Sequence, residues 1–238
     1  MGNSQKIGGI AAQIGAATTL LGMVVFFTLL EPKGLDSTYS DPDRIVALLA
    51  GNQAAMRLWY QIIFLAFGVC TIFLSLALYE RLKVGSPVLA QAVTIFGLIY
   101  AVLVILIGTL SINDLDTVVR LHSTNPAQAA TVWVTLDAVE TGLGAGGGET
   151  IIAGLWFLLL SWAAFQAKAL PRLLNYLGVV TGLAGILYVF LASAGLLAVN
   201  ALGLIIWFVW VGIVMLRTGP TVAASRSATG RQLLESVA

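Results

Sequence analysis

Charge is what this chain has least of. Asp, Glu, Lys and Arg make up 10% of 238 residues, against about 25% in soluble globular domains. Six stretches, residues 7–30, 58–79, 88–110, 150–167, 173–194 and 196–216, contain none of the four. Cysteine is nearly absent too. The single thiol, Cys70, excludes an intrachain disulfide and a Cys-based metal cluster. It sits among Val69, Thr71 and Ile72 and reads as a small apolar filler. One histidine, His122, allows one imidazole at most in any site.

What replaces charge is apolar length. The hydrophobic share is 59% and the mean hydropathy +0.96, more than a soluble core of this size needs. About 20 uncharged, mostly apolar residues cross the roughly 30 Å hydrocarbon core as a helix, and in lipid only helices satisfy the backbone of such a span. The expected fold is therefore all-α, a polytopic bundle of six transmembrane helices over residues 1–217, followed by a flexible cytoplasmic tail over 218–238. The first apolar run, about 24 residues long and without a clear small-residue cleavage site, is expected to be retained rather than removed as a signal peptide. Lys6 stands where a myristoylation signal wants Ser or Thr, so no lipid anchor is implied.

The charges that do occur alternate in sign between successive connections. With the N-terminus inside, the inner segments hold eight cations (Lys6, Arg81, Lys83, Lys168, Arg172, Arg217, Arg226, Arg231) against two acids (Glu80, Glu235), net +6. The outer ones hold four cations (Lys33, Arg44, Arg57, Arg120) against nine acids, net −5. Lys and Arg are retained on the cytoplasmic side, so both termini are expected there. The same bias argues against a seventh crossing at residues 127–148. That crossing would invert Lys168 and Arg172 and place Asp137 and Glu140 in hydrocarbon, at about 2.5–3.5 kcal/mol for an Asp-like charge.

The inner connections are short. Ser86 is expected to cap the third span with Pro87 at its first position, and Leu170-Pro171-Arg172 joins the fourth span to the fifth. The outer connections are longer and predict outer-face helices between spans 1 and 2 and between spans 3 and 4. In the first, Glu31-Pro32-Lys33-Gly34 is a turn and Asp41-Pro42 opens an amphipathic helix through Arg57, with Ile45, Leu48, Leu49 and Met56 at helical spacing. Packing onto the protein's own loops is its expected use. Trp59 and Tyr60 fit an interfacial belt.

The second outer segment, 111–149, collects the polar groups of chemical interest: Asp114, Asp116, His122, Trp133, Asp137, Glu140 and Glu149. Asp137 and Glu140, three apart, share one face of a helix. Convergence of the acids with His122 would suit a hard divalent cation or zinc. A plain hydrated acidic loop accounts for the same residues, so no metal, cofactor or catalytic residue is assigned. Gly142, Gly144 and Gly147 lack the preceding strand and the Lys-Ser/Thr ending of a phosphate loop; they are expected to let the backbone bend sharply between helices. Within the spans, Gly8/Ala12/Ala16, Gly97/Ala101 and Gly178/Gly182 recur at the four-residue spacing that lets helices approach closely. The spans' few polar residues, such as Gln13, Thr18, Thr71, Ser75, Ser161, Thr181 and Asn200, are expected to bond across helices or to their own backbone.

Residues 149–185, with Gly154-Leu155-Trp156-Phe157-Leu158-Leu159-Leu160, then Leu170-Pro171-Arg172, Leu177-Gly178 and Gly182, resemble a bacterial family of six-span membrane proteins catalogued as a domain of unknown function, DUF4386. The resemblance implies a six-helix bundle in the plasma membrane and no particular activity.

Three functional classes stay open on the sequence. The first is a non-enzymatic binder of a lipid or hydrophobic ligand, or an accessory subunit with a protein partner in the membrane. The others are a small transporter or channel, and a membrane enzyme with an outward carboxylate or metal site. The first is preferred. An interior without ionisable groups through its inner half counts against a proton relay, and no inverted repeat with paired broken helices points to alternating access. No nucleic-acid partner is expected.

Overall fold

The computed structural model describes residues 2–33, 41–144 and 146–217. The acid Asp36, residue Gly34 of the expected turn, and the whole expected tail 218–238 with Arg226, Arg231 and Glu235 lie outside the described residues. Within them the chain is all-helical. Helix α1 spans Gly2–Val25 and winds on through a wide π turn, Phe26–Leu30, into the tight turn Glu31–Lys33. Then come α2 (Pro42–Gly51), α3 (Gln53–Tyr60), a second π turn at Gln61–Ala66, α4 (Phe67–Leu82) and α5 (Pro87–His122). Helices α6 (Pro126–Leu143), α7 (Gly148–Ala167), α8 (Arg172–Leu191) and α9 (Ala194–Arg217) complete the chain. Among the described residues, six helical segments are long and apolar enough to cross a membrane.

Start and stop signals account for most boundaries. Pro42, Pro87 and Pro126 each stand at a first helical position, where the missing N–H costs nothing. Asp41 caps α2 by accepting from the Asp43 amide at 3.1 Å. Asn125 caps α6 by accepting from the Gln128 amide at 3.2 Å. Ser86 stands at the start of α5 but makes no capping bond; its hydroxyl donates to Gln166 Oε1 at 3.3 Å instead, which ties the α4–α5 turn to the end of α7. The amphipathic stretch expected to run from Asp41 to Arg57 is split at Asn52, whose φ of −130° interrupts the helix.

Helix α5 differs most from expectation. Its 36 residues make a rod of roughly 54 Å, well past the apolar limit at Leu110. No Gly or Pro interrupts residues 109–122, so nothing in the chain ends the helix there. Helix α6 folds back along this extension, and α7 follows the remainder of α5. Ser111 meets Glu140 and Gly97 meets Trp156, so α6 and α7 together run antiparallel to α5 as one broken helix.

The six long helices close a ring. α1 packs on α4 and α9, α4 on α5, α5 on α7, α7 on α8, and α8 on α9. At the end bearing the α4–α5 and α7–α8 turns, Arg81 Nε donates to the Ala169 carbonyl at 2.8 Å, and Gln5 Nε2 donates to the Ala77 carbonyl at 2.8 Å. At the opposite, far end, α2 packs on α5 and α6 by burying Ile45, Val46 and Leu49, and Trp133 packs among these residues. Helix α2 thus covers the chain's own elements.

Polar side chains inside the ring follow the expected pattern in part. Gln13 donates to the Val209 carbonyl at 2.7 Å, Asn200 to the Thr181 carbonyl at 3.0 Å, and Thr71 bonds its own helix at Phe67. The buried Ser75, Ser161 and Thr181 hydroxyls make no hydrogen bond within the described chain.

Close approach is sharpest between α7 and α8. A methyl group on Gly182 would lie 2.7 Å from the Gly154 carbonyl oxygen, and one on Gly154 would lie 2.8 Å from the Gly182 carbonyl. Both obstacles are backbone, which cannot swing aside. Gly154→Val and Gly182→Val should each lower stability in detergent by about 1–3 kcal/mol or more, read as a drop in thermal midpoint. Helix α8 ends instead at Ala192 in the left-handed conformation, φ 48°, where a Cβ is disfavoured by about 1–2 kcal/mol. Ala192→Gly should leave the midpoint unchanged or raise it, whereas Ala192→Val should lower it.

Candidate functional site

A ring of six helices leaves space along its axis, and aromatic side chains fill the middle of that space here. Trp156 stands at the centre, with ring centroids 5.8 Å from Tyr100, 5.1 Å from Phe157, 5.9 Å from Trp207 and 6.4 Å from Phe208. Phe67 joins Tyr100 at 6.1 Å and Phe208 at 5.2 Å. Trp156, Phe157 and Phe208 are fully buried. Tilted and edge-on rings at these separations attract beyond their area burial. The plug divides the ring's interior.

On the far side of the plug lies a cavity of about 440 Å³, within the usual size range of small-molecule sites, about 300–1,000 Å³. Phe67 and Tyr100, both buried, form its floor. Val104 and Ile107 of α5 and Leu204 of α9 line its sides. Thr19, Gly22 and Met23 come from α1. The two π turns supply the rest of the apolar wall: Phe26 and Phe27 from one, Ile63 and Phe64 from the other, with Trp59 just ahead of it. Such turns are rare and cluster at functional sites because they redirect side chains that a regular helix would aim elsewhere. Trp59 is held across the cavity wall by its indole N–H, which donates to the Gly22 carbonyl at 3.4 Å.

The remaining wall is acidic. Asp137, Glu140 and Thr141 of α6, Gly144 just past its end, and Glu149 of α7 line it. The glycine-rich break creates this wall. Gly147 lies so close to the Gly142 carbonyl that no side chain fits, and the Thr150 hydroxyl donates to the Gly144 carbonyl at 3.2 Å. The chain therefore bends between α6 and α7 so that Glu140, in the last turn of one helix, and Glu149, in the first turn of the next, face one space. Glu149 also gains from the α7 N-terminus, where a negative charge meets the positive end of the helix dipole. It is deeply enclosed yet retains accessible surface, which opens into the cavity.

Glu140 and Glu149 each have a neutral neighbour. The Ser111 hydroxyl lies 2.8 Å from Glu140 Oε2, and the buried Asp114 adjoins the same group. The Thr150 hydroxyl lies 3.3 Å from Glu149 Oε2, and the Tyr100 hydroxyl pairs with that carboxyl from the floor. No Lys, Arg or His lines the cavity among the described residues.

The other residues singled out in the sequence lie elsewhere. Asp116 accepts from Gln53 Nε2 at 3.0 Å and pairs with Arg57, which staples α3 to α5. Trp133 belongs to the core beneath α2. His122 sits at the tip of α5, its Nδ1 buried without a hydrogen bond. Asp116, His122 and Trp133 thus do not line the cavity with Asp137, Glu140 and Glu149. Among the described residues no group of three or more His, Cys, Asp or Glu side chains could hold a metal ion. What sequence reading missed is the α1 wall and Tyr100: Met23, Phe26 and Phe27 read as ordinary span residues, and no local signal marks the π winding at Phe26 and Phe27.

Residues 14–219 match the family model described as Domain of unknown function (DUF4386). The chain belongs to this family. No curated protein and no solved structure matches it. This DUF4386 protein is an integral membrane protein with a closed helical ring, an aromatic plug and a cavity beside the plug. Because Trp156 is the centre of the plug, Trp156→Ala should cost about 3–5 kcal/mol, seen as a loss of thermal midpoint larger than that of Trp162→Ala, whose side chain is 54% exposed.

Proposed function

We propose that this protein binds a small hydrophobic or amphipathic ligand taken from the membrane, without chemistry on it, in the cavity between the aromatic plug and α6. The observation that carries this reading is the cavity's form: ligand-sized, walled mostly by apolar and aromatic side chains, with a few polar groups grouped on one side. That combination is the usual signature of a small-molecule site, in which apolar contacts give affinity and a few placed polar groups give orientation. The fully buried plug supports binding over conduction, since a continuous polar path would have to pass Trp156, Phe157 and Phe208. The distribution of Lys and Arg supports a plasma-membrane protein with cytoplasmic termini, so that the cavity faces outward. Phe27 lines the cavity yet is 56% exposed, and Leu20 and Val24, on the preceding turns, are exposed as well, which supports entry from the bilayer.

Trp59 makes the reading testable, because a brominated apolar probe in the cavity quenches its fluorescence. Titration of the protein in nanodiscs with 4-bromobiphenyl should show a saturable component above partitioning into lipid, absent from Trp59→Phe. Val104→Phe, which fills the cavity from α5, should weaken that component by about fivefold or more, near 1 kcal/mol. Quenching that only rises linearly with probe, in wild type and variants alike, would contradict the reading.

A further inference from the structure

We infer that the ligand of this cavity is a cationic amphiphile, a single protonated or quaternary ammonium group on an apolar body. This rests on the cavity being a binding site and adds what chemistry it selects. Two walls meet in the cavity. One offers the carboxyls of Asp137, Glu140 and Glu149. The other offers the rings of Phe26, Phe27, Trp59, Phe64, Phe67 and Tyr100.

Among the described residues, no Lys, Arg or His lines the cavity to balance the acids there. The pairing partners of Glu140 and Glu149 are Ser111, Thr150 and Tyr100, all neutral, and a further acid, Asp114. Arg57, the arginine nearest along α3, is engaged with Asp116 outside the cavity. A carboxylate removed from water is costly unless it is paired, so the acidic wall is complementary to a positive charge from outside the chain. The aromatic wall favours the same charge, since an ammonium held over ring faces gains from their quadrupoles and gains more when both are shielded from water. An apolar body suits the remainder of the space, where Met23, Ile63, Val104, Ile107 and Leu204 offer no hydrogen bonds.

The same arrangement disfavours the commonest alternative, a phospholipid. Its phosphate would enter a space lined by carboxyls and holding no Lys, Arg or His, where like charges repel. A neutral hydrocarbon would leave the acids without a counter-charge. A lone ammonium on an apolar body meets both walls.

The test compares two ligands of one shape. 4-Phenylbutyl-trimethylammonium and its neutral isostere, in which tert-butyl replaces the trimethylammonium group, differ only in charge. Each is titrated calorimetrically into the full-length protein in nanodiscs, with empty nanodiscs subtracted. The ammonium compound should bind about tenfold or more tighter than the isostere, within the range that shielded cation–aromatic and charge pairing supply. In the double variant Glu140→Gln/Glu149→Gln that ratio should fall toward one while affinity for the isostere holds. Equal binding of the two compounds by the wild-type protein would overturn the charge preference and leave the cavity reading standing. Saturable binding of neither would overturn both. If the double variant does not insert or fold, the wild-type ratio alone decides the claim.

Discussion

Everything particular to this molecule depends on how the axis of its helical ring is filled. Six helices packed mainly on their two ring neighbours, with α4 and α7 also touching across it, leave an axis to fill, and in lipid an unfilled axis forfeits the dispersion contacts that hold such helices together. Trp156 of α7 and Phe157, with Trp207 and Phe208 of α9, Phe67 of α4 and Tyr100 of α5, fill it. Four of the six helices contribute to this cluster, so it fixes their relative rotation as well as closing the hole. Glycines then set how near the helices come, as where Gly154 and Gly182 bring the backbones of α7 and α8 into contact.

The plug also decides where polar chemistry can sit. Between it and the end bearing Arg81 and Lys83, the interior holds hydroxyls, amides and indoles but, among the described residues, no carboxylate. On its other side, the break between α6 and α7 brings Glu140 and Glu149 to one wall although they stand nine positions apart. A continuous helix would present them on faces about 180° apart, from 100° per residue, and could not do this. The break is therefore as much a part of the site as the acids themselves. The two π turns act similarly on the opposite wall, by rotating Phe26, Phe27, Ile63 and Phe64 relative to the helices that follow or precede them.

Much of the architecture is written in the sequence because the bilayer imposes long, uninterrupted apolar runs. Six charge-free stretches predict six crossings, and Asp41-Pro42 and Leu170-Pro171-Arg172 locate helix boundaries within a residue or two. The family resemblance carried by residues 149–185 agrees with the family the chain belongs to. The length of α5 was not legible: polar residues from Ser111 to Asp116 look like a loop, yet they stay helical because α6 and α3 give Ser111 and Asp116 partners. The candidate site was half legible. Asp137, Glu140 and Glu149 stand out as acids beside an apolar segment, and the glycines between them read as a bend. Asp116, His122 and Trp133 look equally eligible in the sequence, since nothing local says that Asp116 has Arg57 or that Trp133 lies under α2. The aromatic wall was invisible because Phe and Met are ordinary span residues until a tertiary contact, or a π turn, tells which way they face.

The central claim, that the cavity ends blindly at the aromatic plug, can be measured by thiol accessibility. With Cys70 replaced by Ala, Thr141→Cys at the rim and Val104→Cys in the cavity wall are exposed in turn to a small, membrane-impermeant methanethiosulfonate on one face of reconstituted vesicles, then on the other. The account predicts that both thiols react from the same face, Val104→Cys more slowly, and that neither reacts from the opposite face. Reaction of Val104→Cys from both faces would mean that the axis is open past Trp156, and would contradict it.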